Sequence, residues 1–332
     1  MDNLTHTAVG LFLSRARLNR WTPHAVPIVL LAANAPDIDI LSAFGGSVNY
    51  LHYHRHLTHS VIAMPVLAFL VVLLVRAFSR APIRWPGAFA AALLGVASHL
   101  LLDWTNVYGI RPWLPFSAQW TALDLNSLVD LWIWVVALVC LVGPFLARLV
   151  GSEISSGSVK SPHHGRGFAW LALIFLLVYG CGRGMLHTRA LATLGARDYA
   201  DAAPSRVLAI PNAANPLEWR GVIETPDFYA VTSLNLLEEF DPTRATVFHK
   251  PDPDPALDAA RRTPTFQEFL RFSRYPLWRV SPSPGLEDGK LVECMDLRFG
   301  TPQSPAFVAS ALVDARLRVI RTEFHWGIAR PR

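Results

Sequence analysis

Apolar residues fall in long blocks over the first half of the chain and in short alternating runs over the second. Residues 61–78, 86–102, 128–150 and 168–186 are each apolar enough to cross a hydrocarbon core about 30 Å thick. Two shorter apolar stretches, 5–18 and 24–40, precede them; Arg15, Arg17 and Arg20 mark the turn from one to the other, and Pro36, Asp37 and Asp39 lie near the end. This spacing predicts a helical hairpin, which returns Asp37 to the level of His6. No small-residue cleavage site follows the first stretch, so it is expected to stay in the fold and not to act as a removable secretory signal.

After residue 186 the pattern changes: Pro, Asp, Arg and period-two alternation replace the blocks. Strands are expected at 206–210, 219–225, 227–232, 246–249, 291–298, 307–314 and 316–326, with a helix over 266–273. The expected fold class is an α-helical multi-span membrane domain followed by a small β-rich (α+β) soluble domain. The first covers residues 1–186, a hairpin plus four spans, and the second 187–332. The Ser/Gly/His-rich stretch 151–167 is expected to link two spans.

Composition sharpens this picture. A chain of 332 residues that is 52% hydrophobic and 17% charged departs from soluble proteins, and 11 Trp suit interfacial anchoring. The net charge of +5 is spread out, without a basic run, which argues against nucleic acid and leaves membrane lipids as the natural anionic partners. Three scattered cysteines, Cys140, Cys181 and Cys294, make neither a disulfide framework nor a thiolate zinc site. Any metal must therefore sit on imidazoles and carboxylates.

Such residues collect at span boundaries: Asp37 and Asp39, then His52, His54, His56 and His59, then His99 and Asp103. His99 and Asp103 are four apart and share a helix face. His54 and His59 bracket a helix start, where Thr58 or Ser60 is positioned to cap the span. Charged groups within apolar sequence are costly unless paired or liganded, and nitrogen and oxygen donors suit zinc foremost, then manganese or iron. His6, Asp37, Asp39, His54, His59, His99 and Asp103 are the candidate ligands, enough for two ions. His52 and His56 have a weaker claim as interfacial residues, His163 and His164 read as surface, and Asp130 as a cap, an orienting group or a further ligand.

The sequence resembles the YdjM family of predicted membrane-bound metal-dependent hydrolases. The resemblance rests on Thr5-His6, Pro36-Asp37-Ile38-Asp39, His54-Arg55, Leu57-Thr58-His59-Ser60, and His99 to Asp103 followed by Thr105 and Gly109. His56 departs from it, standing where the family has a small residue such as Gly. The resemblance implies a multi-pass protein of the bacterial inner membrane and a divalent-metal hydrolase. A more distant likeness to zinc-dependent phospholipases C and nucleases points to phosphoesters, on a lipid or lipid-linked substrate, with Arg55 expected to hold the phosphate. Basic residues at Arg76, Arg80, Arg84, Arg148, Lys160 and Arg166 place two loops in the cytoplasm, so the site and the C-terminal domain are expected to face outward. The competing expectations are a structural metal site and a metal or proton transporter.

Overall fold

The computed structural model describes residues 1–154, 165–283 and 286–327. His163 and His164, with most of the expected 151–167 linker, lie outside the described residues. Contacts divide the chain into two units. The first holds Met1–Asp39, Arg55–His187 and Pro211–Pro216, and the second Ile40–His54, Thr188–Ile210 and Leu217–Arg332.

The helices of the first half are α1 (Asn3–Arg15), α2 (Ala25–Ala32), α3 (Ser47–Tyr53), α4 (Ala63–Phe78), α5 (Trp85–Thr105), α6 (Leu131–Ile154) and α7 (Arg166–Gly195). Among the described residues three helices, Trp85–Thr105, Leu131–Leu149 and Arg166–Gly195, are long and apolar enough to cross a membrane; up to five spans result if each of two bent helix pairs is one. The α4 helix, expected as a span by itself, is 16 residues long and belongs to one of those bent pairs. Thr58 and Ser60 do not cap it: the Thr58 hydroxyl donates to Asp39 and the Ser60 hydroxyl to the Leu57 carbonyl. Asp130 is a cap, because its Oδ1 accepts from the amides of Trp132 (3.1 Å) and Ile133 (3.3 Å) at the start of α6.

Small residues decide how closely the helices of the first unit approach. A Cβ added at Gly95 of α5 would stand 2.8 Å from Ala32 Cβ, and one at Gly10 of α1 would stand 2.9 Å from Ala33 Cβ. Both helices thus press against the end of α2, and Ile28, Val29, Val72, Ala92 and Val96 form a dry core among α2, α4 and α5. A second cluster joins Phe12 of α1 to Cys140 of α6 and Ala169 and Ala172 of α7.

The second unit is built on two four-stranded sheets. In chain order its elements are β1 (Arg206–Pro211), β2 (Glu218–Glu224), β3 (Phe228–Asn235), β4 (Thr246–His249), α8 (Pro255–Arg261), α9 (Pro264–Phe272) and β5 (Pro276–Pro282). They are followed by β6 (Lys290–Asp296), the short β7 (Gly300–Thr301) and β8 (Ser304–Pro305), β9 (Phe307–Val313) and β10 (Val319–Trp326). The sheet orders are β1-β2-β3-β4 and β10-β9-β6-β5. The α9 helix buries Phe266, Phe269 and Phe272, spaced three apart on one face, with Phe269 beside Phe324 of β10. The α3 segment belongs to this unit: His52 Nδ1 lies 2.9 Å from Glu268 Oε2, and Tyr50 packs on Trp326. The alternating segments are strands as expected, and β5 is added to them; proline at both of its ends hides its strand character, and as an edge strand it tolerates them.

Candidate metal centre

The site is assembled from three short segments of the first unit. His99 and Asp103 project from one face of α5, and both are fully buried. The close approach licensed by Gly95 brings the Ala33 carbonyl within 2.8 Å of His99 Nδ1. That carbonyl can only accept, so Nδ1 carries the proton and Nε2 presents a lone pair.

Asp37 and Asp39 follow α2 in the 3-10 segment Ala35–Gly45, and His59 closes the 3-10 turn Leu57–His59. Asp39 Oδ2 accepts from the Arg55 amide (2.8 Å) and the Thr58 hydroxyl (2.9 Å), and stands 3.1 Å from His59 Nδ1. Thr58 spends its single proton on Asp39, so His59 Nδ1 must be a donor as well. A neutral imidazole held this way at either position turns the lone pair of its Nε2 inward.

The two Nε2 atoms lie 3.1 Å apart. Asp37 Oδ1 is 3.6 Å from His59 Nε2 and 3.5 Å from His99 Nε2, and Asp103 Oδ2 is 3.3 Å and 3.5 Å from the same two atoms. A tetrahedral ion with bonds of about 2.0–2.1 Å holds its ligand atoms about 3.3–3.4 Å apart. Asp37, His59, His99 and Asp103 thus form a group able to hold a metal ion. The chemistry of the donors agrees, since two imidazole nitrogens and two carboxylate oxygens face one another and Asp103 Oδ2 accepts no hydrogen bond among the described residues.

His6 is buried and stacks on His99 at 3.8 Å; neither of its ring nitrogens is hydrogen-bonded among the described residues, and Nε2 is 3.3 Å from Asp103 Oδ1. Asp39 is not one of the four; it orients His59. His54 is outside the group as well, because the chain turns extended there and its ring stacks on Tyr50. Arg55, expected to hold a phosphate, is 4% exposed and engages the protein's own acceptors. It reaches Asp103 Oδ1 (2.9 Å), the Gly109 carbonyl (2.8 Å) and Asn106 Oδ1 (3.3 Å), with its guanidinium over the Tyr108 ring. The Met1 amino group also meets Asp103 Oδ1.

Asn106 lies outside the set of residues expected from the sequence. Its Oδ1 collects the Tyr108 amide (2.8 Å), the Gly109 amide (3.2 Å) and Arg55, holding the turn after α5. The signal available in sequence was Gly109, whose φ of +81° and the 2.5 Å that an added Cβ would leave to the Thr121 carbonyl both demand glycine.

The model of the YdjM inner membrane protein family matches residues 1–190, more than half of the chain and every residue of the metal group. The chain belongs to this family. Beyond the YdjM region, the YfhP C-terminal alpha/beta plait domain matches residues 255–330, which include α8, α9 and the β10-β9-β6-β5 sheet. Both parts recur together in the uncharacterized protein YfhP of Bacillus subtilis (strain 168), which is 25% identical over 98% of this chain and 95% of its own length. No solved structure matches significantly.

Proposed function

We propose that this YdjM-family chain is a multi-pass inner-membrane hydrolase of phosphoesters on lipid or lipid-linked substrates, with zinc held by Asp37, His59, His99 and Asp103. When bound, such a cation lowers the pKa of water and polarises a phosphoryl oxygen. The protein's own part is to keep the donors in place. The Ala33 carbonyl fixes His99, Asp39 and Thr58 fix His59, and Arg55 and Asn106 fix Asp103. His6 Nε2 stands beside Asp103 Oδ1, but that oxygen already meets Arg55 and the Met1 amino group, so the reading is of one ion at this centre. The basic loops favour an outward-facing site.

The observation that carries the hydrolytic reading is Asp37. Three of the four residues are buried completely, whereas the Asp37 side chain is 15% exposed and lines an open groove. A purely structural ion is served best by a closed set of four ligands; here one edge of the set is open to a reactant. The structural-site reading draws on the four protein atoms themselves, which are enough to ligate one ion.

The test is metal content and phosphatase and phospholipase activity of the detergent-purified full chain beside a His59→Ala/His99→Ala/Asp103→Ala variant. Metal and turnover present in the first and lost together in the second is the expected result. Metal without turnover would transfer the centre to a structural role, and a folded, metal-supplemented protein that binds none would end the proposal.

A further inference from the structure

The groove that reaches Asp37 has a volume of about 440 Å³, within the range of small-molecule sites. Its walls come from the first unit alone. Along one side run Leu67, Leu70, Val71 and Leu74, which occur at i, i+3, i+4 and i+7 and so share one face of α4. Leu31 and Ile38 face them from α2 and the segment after it, while Asn3, Asn34 and Asp37 supply the polar lining.

Apolar surface facing lipid needs no special explanation in a membrane protein. A concavity whose apolar walls include a metal-binding carboxylate does, because burying that carboxylate edge against hydrocarbon is costly unless a polar group comes with the hydrocarbon. Asn34 is already occupied: its amide donates to the Leu30 carbonyl and to Thr7 Oγ1, which leaves Asp37 as the acidic group of the lining. With a cation on Asp37, an amphiphile satisfies both parts of the groove, its chain along the α4 face and its phosphoester toward that cation.

We infer that this groove seats the hydrocarbon chain of a long-chain phosphoester, an assignment that rests on the hydrolase reading above and gives its lipid substrate a binding site. The metal centre and the groove share Asp37, so that chain seating sets which ester is presented to the ion. A water-soluble phosphoester would lack the chain contacts and would bind more weakly at the same centre.

The probe is a long-chain alkyl phosphate with a diazirine at its tail, crosslinked to the detergent-purified full chain and mapped by peptide mass spectrometry, with hydrolysis assayed separately. Saturable labelling concentrated at Leu70 and Leu74 is expected. Leu70→Trp, which fills the groove from an exposed helix position, should raise the half-saturation point about tenfold, or ~1.4 kcal/mol. Leu73→Trp, exposed but outside the groove, should not. Competition by unlabelled diacyl phospholipid against polyprenyl phosphate identifies which long-chain source fits. Labelling that spreads evenly over the exposed positions of α4 without saturating, or that Leu70→Trp leaves unchanged, would overturn the groove assignment even if phosphoesters are hydrolysed. Saturable groove labelling without hydrolysis of any phosphoester would sustain the lipid seat and remove the hydrolase reading instead.

Discussion

Each unit contains a buried ionic cluster, and the two are built on opposite principles. In the second unit Asp296 and Arg298 are nearly inaccessible, and Arg298 donates to Asp296 Oδ2 through Nε (2.9 Å) and a terminal nitrogen (2.7 Å). The same guanidinium satisfies the Phe272 carbonyl at 2.8 Å, and Arg220 donates to the carbonyls of Leu297, Arg298 and Gly300. Asp296 and Arg298 there meet each other, and the second guanidinium is met by carbonyl oxygens. In the first unit Arg55 and the Met1 amino group engage one oxygen of Asp103, while its other oxygen and Asp37 face two imidazole lone pairs. A self-complete ion pair is a fastening. An acceptor-rich cluster at ligand spacing asks for a cation, which is how burial of charge distinguishes a structural cluster from a binding centre.

The contrast can be broken most sharply from the complete side. Asp296→Ala leaves Arg298 charged and buried, and should cost about 3–5 kcal/mol in the unfolding of the second unit. Thermal or denaturant unfolding of the purified full chain reads it. A loss below ~1 kcal/mol would mean that water reaches the pair and that burial is no guide here.

The acceptor-rich side should respond to ligand more than to mutation. Zinc at about a hundredfold over its Kd should stabilise the wild type by ~2.7 kcal/mol, and a His59→Ala/His99→Ala variant by nothing comparable. Stripping the metal with a chelator should reverse the gain. Equal stabilisation of both proteins would place the bound metal elsewhere.

Smaller effects sharpen the comparison. Asp39→Asn keeps the shape beside His59 Nδ1 but removes the negative charge, and should weaken metal binding about 10–100-fold without emptying the site. Competition against a chelating dye measures it, and complete loss of binding would show Asp39 to be a ligand. The mildest change is Asp254→Ala at the start of α8. The Lys290 ammonium and the Ala256 amide hold this carboxyl below its ordinary range. A depressed folded-state pKa contributes stability at pH above the unfolded value and loses it as pH falls. Removing the cap should cost about 1 kcal/mol near neutral pH and progressively less in acid. A cost that grew toward acid pH would reverse the sign and refute the assignment.

The parts legible in sequence are those governed by local spacing. His99 and Asp103 had to share a helix face because they are four apart, and the second unit had to be β-rich because its side chains alternate. The metal group was legible as a population of candidates but not as a selection. His54 and His59 are equally good imidazoles in the same short segment, yet only the second is turned inward. That choice lies in the extended backbone at His54, the positive φ of Arg55 (+53°) and the bonds that Asp39 makes to Arg55 and Thr58. Arg55 looked available to a phosphate because its sequence neighbours say nothing of Asn106 and Gly109, which claim its guanidinium from about fifty residues away.

The sequence by itself determined the apolar helices, the alternating strands and a pool of imidazoles and carboxylates unable to sit unpartnered in apolar surroundings. Periodicity and the cost of desolvated charge are local properties, readable one segment at a time. Only the tertiary structure decided which four side chains converge, which nitrogen each imidazole offers and which carboxylate opens onto a groove. Those outcomes depend on how near Gly95 lets α5 come to α2 and on which distant carbonyls and carboxylates complete each hydrogen bond.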